Sequence, residues 1–190
     1  MPFKPDQIIV HHDGVSREGP SFGIVDDFHE SLGFPISSLG FCVGYHYWIE
    51  RDGVIRQARA ENELGAHTKG QNYTALGIGM AGCFDKEDPS PEQVAALGLL
   101  LSNLCSRHDI PAERIFPHRK YANKSCYGSR LSDHWAQDVL ADFRKKDAAE
   151  AKEAATATFS VSAAPLPPGW LARVTVAFVT LCKAVLNSRG

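Results

Sequence analysis

The chain has 190 residues, of which 44% are hydrophobic and 22% are charged. This length suits one domain, or one domain with an appendage, and the composition excludes collagen-like, wholly disordered and coiled-coil proteins. The formal net charge of -2 provides no electrostatic attraction to nucleic acid, so we expect no nucleic-acid partner. The 5 cysteines are odd in number and scattered, which does not fit a small domain stabilised by disulfides.

The first predicted element is a short buried strand over residues 8–10, which leads directly into the adjacent histidines His11 and His12. Strand alternation places those two side chains on opposite faces of the sheet. Residues 24–32 then predict a helix, because apolar side chains recur there at helical spacing. These apolar positions are Ile24, Val25, Phe28 and Leu32.

A β-hairpin is predicted next, with strands over 43–49 and 54–55 on either side of the turn residues Asp52-Gly53. Residues 76–80 predict another strand, and its two glycines indicate a close approach of neighbouring groups to the backbone. Residues 115–116 are a candidate for a last short strand.

Two helices are predicted in the second half. Ser90 is a candidate N-cap, followed by Pro91 at the first helical position and Gln93 at the capping-box position, and the helix extends to about His108. A further helix follows Ser132, with an alanine-rich, charged stretch that can continue it. Strands mixed with helices predict a layered α/β or α+β domain.

The composition changes near the C-terminus. We predict one domain over 1–147, an alanine- and proline-rich linker over 148–169 and an apolar helix over 170–190. The last segment has two interpretations. We favour a helix that docks on the domain or on a partner chain, and the alternative is a tail that makes weak contact with a membrane or anchors the protein at a surface such as a wall.

The residues best suited to chemistry are His118 and Cys126 on one polar loop, together with a histidine from the first strand. A catalytic zinc ion takes a few nitrogen and thiolate ligands and keeps one position open. His11, His118 and Cys126 would supply three such ligands. By itself, a histidine eight residues from a cysteine is a weak signal, and without further evidence a surface loop with an incidental cysteine is the better explanation.

An ordered set of short motifs strengthens the zinc interpretation, because the set is far more specific than any one of its members. It comprises Ile9-Val10-His11-His12, the stretch 24–34 around His29, Val43-Gly44-Tyr45-His46-Tyr47, Arg51-Asp52-Gly53, Gly65-Ala66-His67, Asn72 ahead of Leu76-Gly77-Ile78, and His118 with Cys126-Tyr127-Gly128. In this order, over residues 7–143, the chain resembles the zinc-dependent N-acetylmuramoyl-L-alanine amidases of the second amidase type. That superfamily includes phage lysozyme-type endolysins and peptidoglycan recognition proteins.

The resemblance implies a mixed central β-sheet flanked by helices, and a Zn²⁺ site formed by His11, His118 and Cys126. It also implies that Tyr45 and Lys124 are the catalytic residues, as in the phage branch. It implies further that His67 lines the cleft, and we predict that His67, Asn72 and His12 contact substrate. From the residues alone, His12 is equally a packing neighbour of the site, and His46 is a satisfied core residue.

Two positions depart from the family pattern. Tyr127 replaces the usual proline after the cysteine, which puts the conformation of the ligand loop in question. Gly79 stands where another branch has an acidic catalytic residue, so the resemblance relies more on Tyr45 and Lys124.

The implied activity is zinc-dependent hydrolysis of the amide between N-acetylmuramic acid and L-alanine in peptidoglycan. The N-terminus has no apolar signal segment, so we expect synthesis in the cytoplasm and action on the cell wall after release, as for an endolysin of a phage or prophage. The alternatives are an amidase that recycles cytoplasmic muropeptides and a peptidoglycan-binding protein without catalysis. Retention of Cys126 favours an enzyme, and we expect a monomer.

Overall fold

The computed structural model describes residues 3–162, and the side chains of residues 3–154. Residues up to Asp147 form one compact unit. The described part of the second unit, residues 148–162, is helical, so the helix extends into the predicted linker. The predicted apolar helix over 170–190 lies outside the described residues. The division into domain, linker and tail therefore stays a prediction.

The described fold is an α/β structure built on a mixed five-stranded sheet, as predicted. Its strands and helices are β1 (Gln7–His12), α1 (Phe22–Ser31), β2 (Tyr47–Ile49), β3 (Ile55–Gln57), β4 (Ala75–Met80), α2 (Pro91–His108), β5 (Ile115–Pro117) and α3 (Trp135–Ser162). The strand order is β3-β2-β4-β1-β5, and only the β2–β3 pair is antiparallel. The carboxyl ends of β1, β4 and β5 thus meet at one edge of the sheet.

The helix α2 begins as its sequence predicts. The Ser90 hydroxyl accepts a hydrogen bond from the Gln93 backbone N–H at 3.0 Å, and the Gln93 side chain accepts from the Ser90 N–H at 3.2 Å. This capping box satisfies two backbone donors that the first helical turn leaves unpaired. At the other end Asp109 adopts a left-handed conformation with φ of 54°, which ends the helix.

The predicted hairpin is present, but its first strand is shorter than the apolar pattern indicates. β2 begins at Tyr47, and residues 43–46 are not strand. His46 explains the difference, because its Nδ1 accepts from the Gly77 N–H at 3.0 Å and its Nε2 donates to the Glu63 carbonyl at 2.9 Å. A side chain therefore takes the place of a strand partner here, and His46 is a satisfied core residue, as predicted.

One face of the sheet carries the main apolar core. Alternate residues of β1, β2 and β4 pack there against α2 and α3. The strand residues of this core are Ile8, Val10, Tyr47, Ile49, Leu76, Ile78 and Met80, and the helices contribute Leu97, Leu100, Leu101, Leu104, Val139 and Leu140.

The other face is covered by α1 and has a smaller apolar cluster around Phe22, Val25 and Trp48. The predicted helix is present, but most of the apolar residues that predicted it do not face the core. Val25 is buried, but Ile24, Phe28 and Leu32 are 55%, 59% and 54% exposed. The inward-facing positions are instead Phe22, Val25 and His29.

Candidate metal centre

Parallel pairing of β1 with β5 brings two of the predicted ligands together. Val10 lies opposite Pro117 in the register, so the residues that follow them, His11 and His118, extend side by side from the same sheet edge. Their ring centroids lie 4.4 Å apart. The candidate ligand atoms of His11, His118 and Cys126 all lie within 4.8 Å of one another.

Cys126 reaches this edge because its loop is held from three directions. The His12 backbone N–H lies 3.4 Å from the Cys126 Sγ and donates to it. The Arg119 N–H donates to the Cys126 carbonyl at 2.7 Å, and its guanidinium donates to the Gly128 carbonyl at 2.7 Å. Asp85 accepts from the Ser125 hydroxyl at 2.7 Å. A backbone donor aimed at sulfur and a braced loop orient the thiol toward the histidines.

Tyr127, the departure from the family pattern, does not displace the ligand loop. Its side chain is fully buried and packs against Trp135, with ring centroids 5.4 Å apart. The Tyr127 hydroxyl donates to the Ser132 carbonyl at 3.0 Å, and the Arg119 guanidinium lies 5.3 Å above its ring. Tyr127 therefore anchors the loop to the start of α3.

Burial sets the protonation of the three candidate ligands. It lowers the pKa of His11 well below the usual value and lowers that of His118 to about 4, and the nearby positive charge of Lys124 adds to both shifts. Both imidazoles are therefore neutral at pH 7, which leaves a lone pair for a metal. Burial raises the pKa of the Cys126 thiol to about 12, so the thiolate needs a cation beside it.

A chain of hydrogen bonds fixes the orientation of His11. His67 Nε2 donates to the Ala75 carbonyl at 3.3 Å, so its Nδ1 is the accepting nitrogen. His11 Nε2 lies 3.1 Å from that Nδ1 and donates to it, and the Thr68 hydroxyl lies 3.3 Å from the same His11 nitrogen. His11 Nδ1 is then the nitrogen left for a metal.

The two predicted catalytic residues line the same cavity as the three ligands. The Tyr45 ring centroid lies 5.0 Å from that of His11. Burial raises the pKa of Tyr45, so its phenol is protonated at neutral pH and can donate a hydrogen bond. Lys124 is exposed on the ligand loop and brings a positive charge to the cavity wall.

The three residues predicted to contact substrate differ in what they contact in the structure. His67 lines the cavity but also supports His11 from behind. The amide oxygen of Asn72 accepts from the backbone N–H groups of His67 and Thr68 at 3.1 and 2.9 Å, so Asn72 holds that loop. His12 also lines the cavity, and its Nδ1 accepts from the Phe84 N–H at 3.0 Å. Contact of these side chains with substrate stays a prediction.

The glycines of β4 make room for the site. A Cβ built on Gly77 would lie 2.5 Å from the His67 ring, and one on Gly79 would lie 2.6 Å from both Trp48 and Tyr45. The space that an acidic side chain would need at Gly79 is therefore occupied by aromatic rings. The close approach predicted from these glycines is confirmed.

Above the ligands lies a cavity of about 880 Å³. One wall is apolar and comes from α1, with Ile24, Phe28 and Leu32 among its residues. The opposite wall is polar and comes from the ends of β1 and the ligand loop. The exposed apolar residues Ile24 and Phe28 of α1, with Leu32 just after it, thus line the site.

Sequence reasoning missed the residues that position the site. Thr68, Arg119 and Asp85 contact the ligands or their loop through the bonds described above, and Glu50 holds α1 in place. The Glu50 carboxylate accepts from the Ser21 N–H at 2.9 Å and the Ser21 hydroxyl at 2.7 Å. In sequence these are ordinary polar residues of loops and strand ends, and only their partners distant in the chain distinguish them.

Comparison with known proteins agrees with this geometry. Residues 2–129 match the family model described as N-acetylmuramoyl-L-alanine amidase. The chain belongs to this family. The endolysin of Escherichia phage T7 is 31% identical over 142 residues, covering 71% of this chain and 88% of the relative. Peptidoglycan-recognition protein SC2 of Drosophila melanogaster is 26% identical over 125 residues, covering 65% and 68% of the two chains.

Solved structures from the same family have the same fold. The N-acetylmuramoyl-L-alanine amidase LysC from Clostridium intestinale superposes with a TM-score of 0.62 at 28% identity, covering 75% of this chain and 87% of that one. The Drosophila peptidoglycan recognition protein PGRP-LB superposes with a TM-score of 0.58 at 27% identity, covering 68% and 79%. Amidases and recognition proteins thus share this architecture.

Proposed function

We propose that this protein is a zinc-dependent hydrolase of the amide bond between N-acetylmuramic acid and L-alanine in peptidoglycan. The observation that carries the proposal is the convergence of the His11, His118 and Cys126 ligand atoms within 4.8 Å at one side of an open cavity. Family membership gives the substrate class, and this cluster favours catalysis over recognition alone.

The donor set fits zinc. Two neutral imidazoles and one thiol, held close together and buried or half-buried, are ligands that zinc prefers, and three protein ligands leave a position for a reactant. When bound, zinc polarises a carbonyl group as a Lewis acid and lowers the pKa of a water molecule. His11 and His118 would bind through nitrogen, and Cys126 through sulfur.

The other residues of the cavity would stabilise charge and position the substrate. The Tyr45 phenol, kept protonated by burial, would donate a hydrogen bond to the oxygen that becomes negative as the amide is attacked. The Lys124 ammonium would stabilise the same charge from the ligand loop. In other enzymes, removing one donor of this kind raises the barrier by about 3–4 kcal/mol.

The cavity also suits a glycopeptide. Its volume of about 880 Å³ falls within the range of small-ligand sites, roughly 300–1,000 Å³. The apolar wall of Ile24, Phe28 and Leu32 would pack against methyl groups and sugar faces, while the polar wall faces the amide. We propose that His67 and His12 contribute to that polar wall.

The biological role we propose is that of an endolysin. The match to this chain covers most of the length of the endolysins of phages T7 and T3. An endolysin would be made in the cytoplasm and released to the wall. No helix among the described residues is long and apolar enough to cross a membrane. We propose a monomer, with recycling of muropeptides as the second enzymatic role.

The experiment that tests the activity uses purified sacculi and the zinc-loaded full chain. We expect new L-alanine amino termini to appear without new reducing sugar ends, and metal analysis to find about one zinc ion per chain. Binding of sacculi without release of amino termini would contradict the proposal and support the peptidoglycan-binding alternative. New reducing ends would identify a glycosidase instead.

A further inference from the structure

An ion pair in the cavity wall has hydrogen-bonding capacity that the fold does not use. Arg17 Nη2 lies 3.3 Å from the Asp13 Oδ2, and these side chains are only 21% and 9% exposed. Arg17 Nη1 and Asp13 Oδ2 are buried, and neither has a hydrogen-bond partner among the described residues. Buried polar atoms are normally paired, so an unsatisfied guanidinium in a cavity wall indicates a site for a ligand.

The loop around this pair is otherwise held firmly. Asp13 Oδ1 accepts from the Gly82 N–H at 2.9 Å and from the Val15 N–H at 3.1 Å. The Ser16 hydroxyl donates to Glu87 at 3.1 Å. Glu50 fixes Ser21, four residues after Arg17, so the segment that carries Arg17 is attached to the fold before and after it. The guanidinium is therefore presented at a defined place rather than on a free loop.

The neighbouring charges leave Arg17 available for an anion. Asp85 lines the same cavity, but both of its oxygens are occupied, by the Ser125 hydroxyl at 2.7 Å and the Ser129 N–H at 2.6 Å. Asp13 is the only carboxylate within salt-bridge distance of Arg17 among the described residues, and it engages one guanidinium nitrogen. A guanidinium fork with an unused N–H edge matches the geometry of a carboxylate.

We propose that Arg17 binds the first free carboxylate of the peptide stem, the one on the residue after L-alanine. This inference rests on the proposed function. Asp13 lies two residues beyond His11 at the end of β1, which is a distance of about 6–7 Å along an extended chain. Arg17 and Asp13 also line the same cavity as the three candidate ligands, so a substrate whose amide lies beside the ligands would place a carboxylate one residue away on the Arg17 side of that cavity.

The test compares two synthetic muramyl tripeptides that differ only at the second residue, which carries either a free α-carboxylate or a carboxamide. With the zinc-loaded full chain, we expect KM for the free acid to be roughly ten- to a hundredfold lower than for the amide, the usual contribution of a charged hydrogen-bonded pair. In Arg17→Gln we expect the preference for the acid to disappear, because KM for the acid rises to the value for the amide while kcat is retained. Arg17→Lys keeps the charge but not the fork, and gives an intermediate preference.

Arg114→Gln is the matched control, because Arg114 pairs with Asp6 before the start of β1, away from the cavity. We expect it to keep the wild-type preference. Equal KM values for the two compounds in the wild-type chain, or an equal loss on both in Arg17→Gln, would overturn the inference while the hydrolytic function stands. If neither compound is hydrolysed, the proposed function fails. Calorimetric Kd values for the acid and the amide then test Arg17 separately, because tighter binding of the acid should again disappear in Arg17→Gln.

Discussion

The two faces of the central sheet are built from the same strands but carry different kinds of side chain. On the face covered by α2 and α3, alternate strand residues are large and apolar, such as Ile8 and Leu76. On the face covered by α1, Ile9 and Trp48 are large and apolar, but other residues between them are small or titratable, such as Gly77, Gly79 and His11. The first face supplies stability, and the second provides space for rings and ligands. Protein stability and the chemistry of the site should therefore respond to different substitutions.

The largest expected effect is on the chemistry of the second face. Cys126→Ser removes the only thiol of the ligand cluster, and we expect zinc affinity to fall by more than about a hundredfold, beyond the usual effect of losing a residue that merely supports a ligand. Turnover should fall with it. Zinc content after dialysis and release of amino termini measure the two losses. Cys83→Ala, which changes another buried cysteine, should keep its zinc.

On the first face the expected effect is on stability alone. Leu101 is fully buried in the main core, so Leu101→Ala should lower the free energy of unfolding by about 2–5 kcal/mol. Leu99 lies in the same helix but is 46% exposed, and Leu99→Ala should change the free energy of unfolding by less than about 0.5 kcal/mol. Urea denaturation gives both values. Loss of zinc affinity in the folded Leu101→Ala protein would contradict the separation of the two faces.

A smaller effect is expected where a side chain supports a ligand without binding metal. His67→Phe keeps the ring but removes the acceptor for His11 Nε2, so zinc affinity should fall by about 10- to 100-fold. Competition with a chromogenic chelator measures it. His29→Phe is the control, because His29 Nδ1 accepts a hydrogen bond from the Gly44 backbone N–H and not from a candidate metal ligand. If the two variants lost zinc equally, general packing rather than the His67 contact would be responsible.

The smallest effect concerns the attachment of α1, the wall of the cavity. Burial raises the pKa of Glu50, but hydrogen bonds from Ser21 and Phe22 outweigh it, and the net pKa lies below its usual value of 4.5. A lowered pKa in the folded state stabilises the protein above pH 4.5, and that stabilisation is lost as the pH falls through the folded-state pKa.

Glu50→Gln should therefore lower the free energy of unfolding by about 1–3 kcal/mol at pH 7 and reduce its decline in acid. The amide NH₂ would face one of the backbone donors that the carboxylate now accepts from. Denaturation at pH 7 and at pH 3 gives the comparison. Glu113→Gln, at an exposed carboxylate, is the control. An unchanged acid slope in Glu50→Gln would show that Glu50 does not fix α1 in this way.

The sequence predicted the elements whose signals are local. The capping box at Ser90, the hairpin turn at Gly53 and the β-branched run before His11 depend on residues close together in the chain, so the fold class and the start of α2 followed from them. The ligand set His11, His118 and Cys126 came from the ordered motifs of a known family, since spacing alone favoured a surface loop with an incidental cysteine.

Local patterns were less informative on the α1 side. Periodicity predicted the helix from Ile24, Val25, Phe28 and Leu32, but it cannot distinguish an apolar face packed on a core from one that lines a cavity, and Ile24, Phe28 and Leu32 are exposed. The strand over 43–49 was predicted too long, because the His46 ring replaces a strand partner there. Both differences arise where the chain departs from simple packing to form the site.

By itself the sequence determined which residues alternate along each strand, where α2 begins and which side chains can bind a metal, because these depend on neighbours within a few positions. Tertiary structure decided which of those side chains meet. The register of β1 against β5 places His118 beside His11, Arg119 and Asp85 bring Cys126 to them, and His67 sets which His11 nitrogen is free. The His12 N–H, which donates to the Cys126 Sγ, lies 114 positions from it in the chain, and local propensity carries no information on such distant pairs.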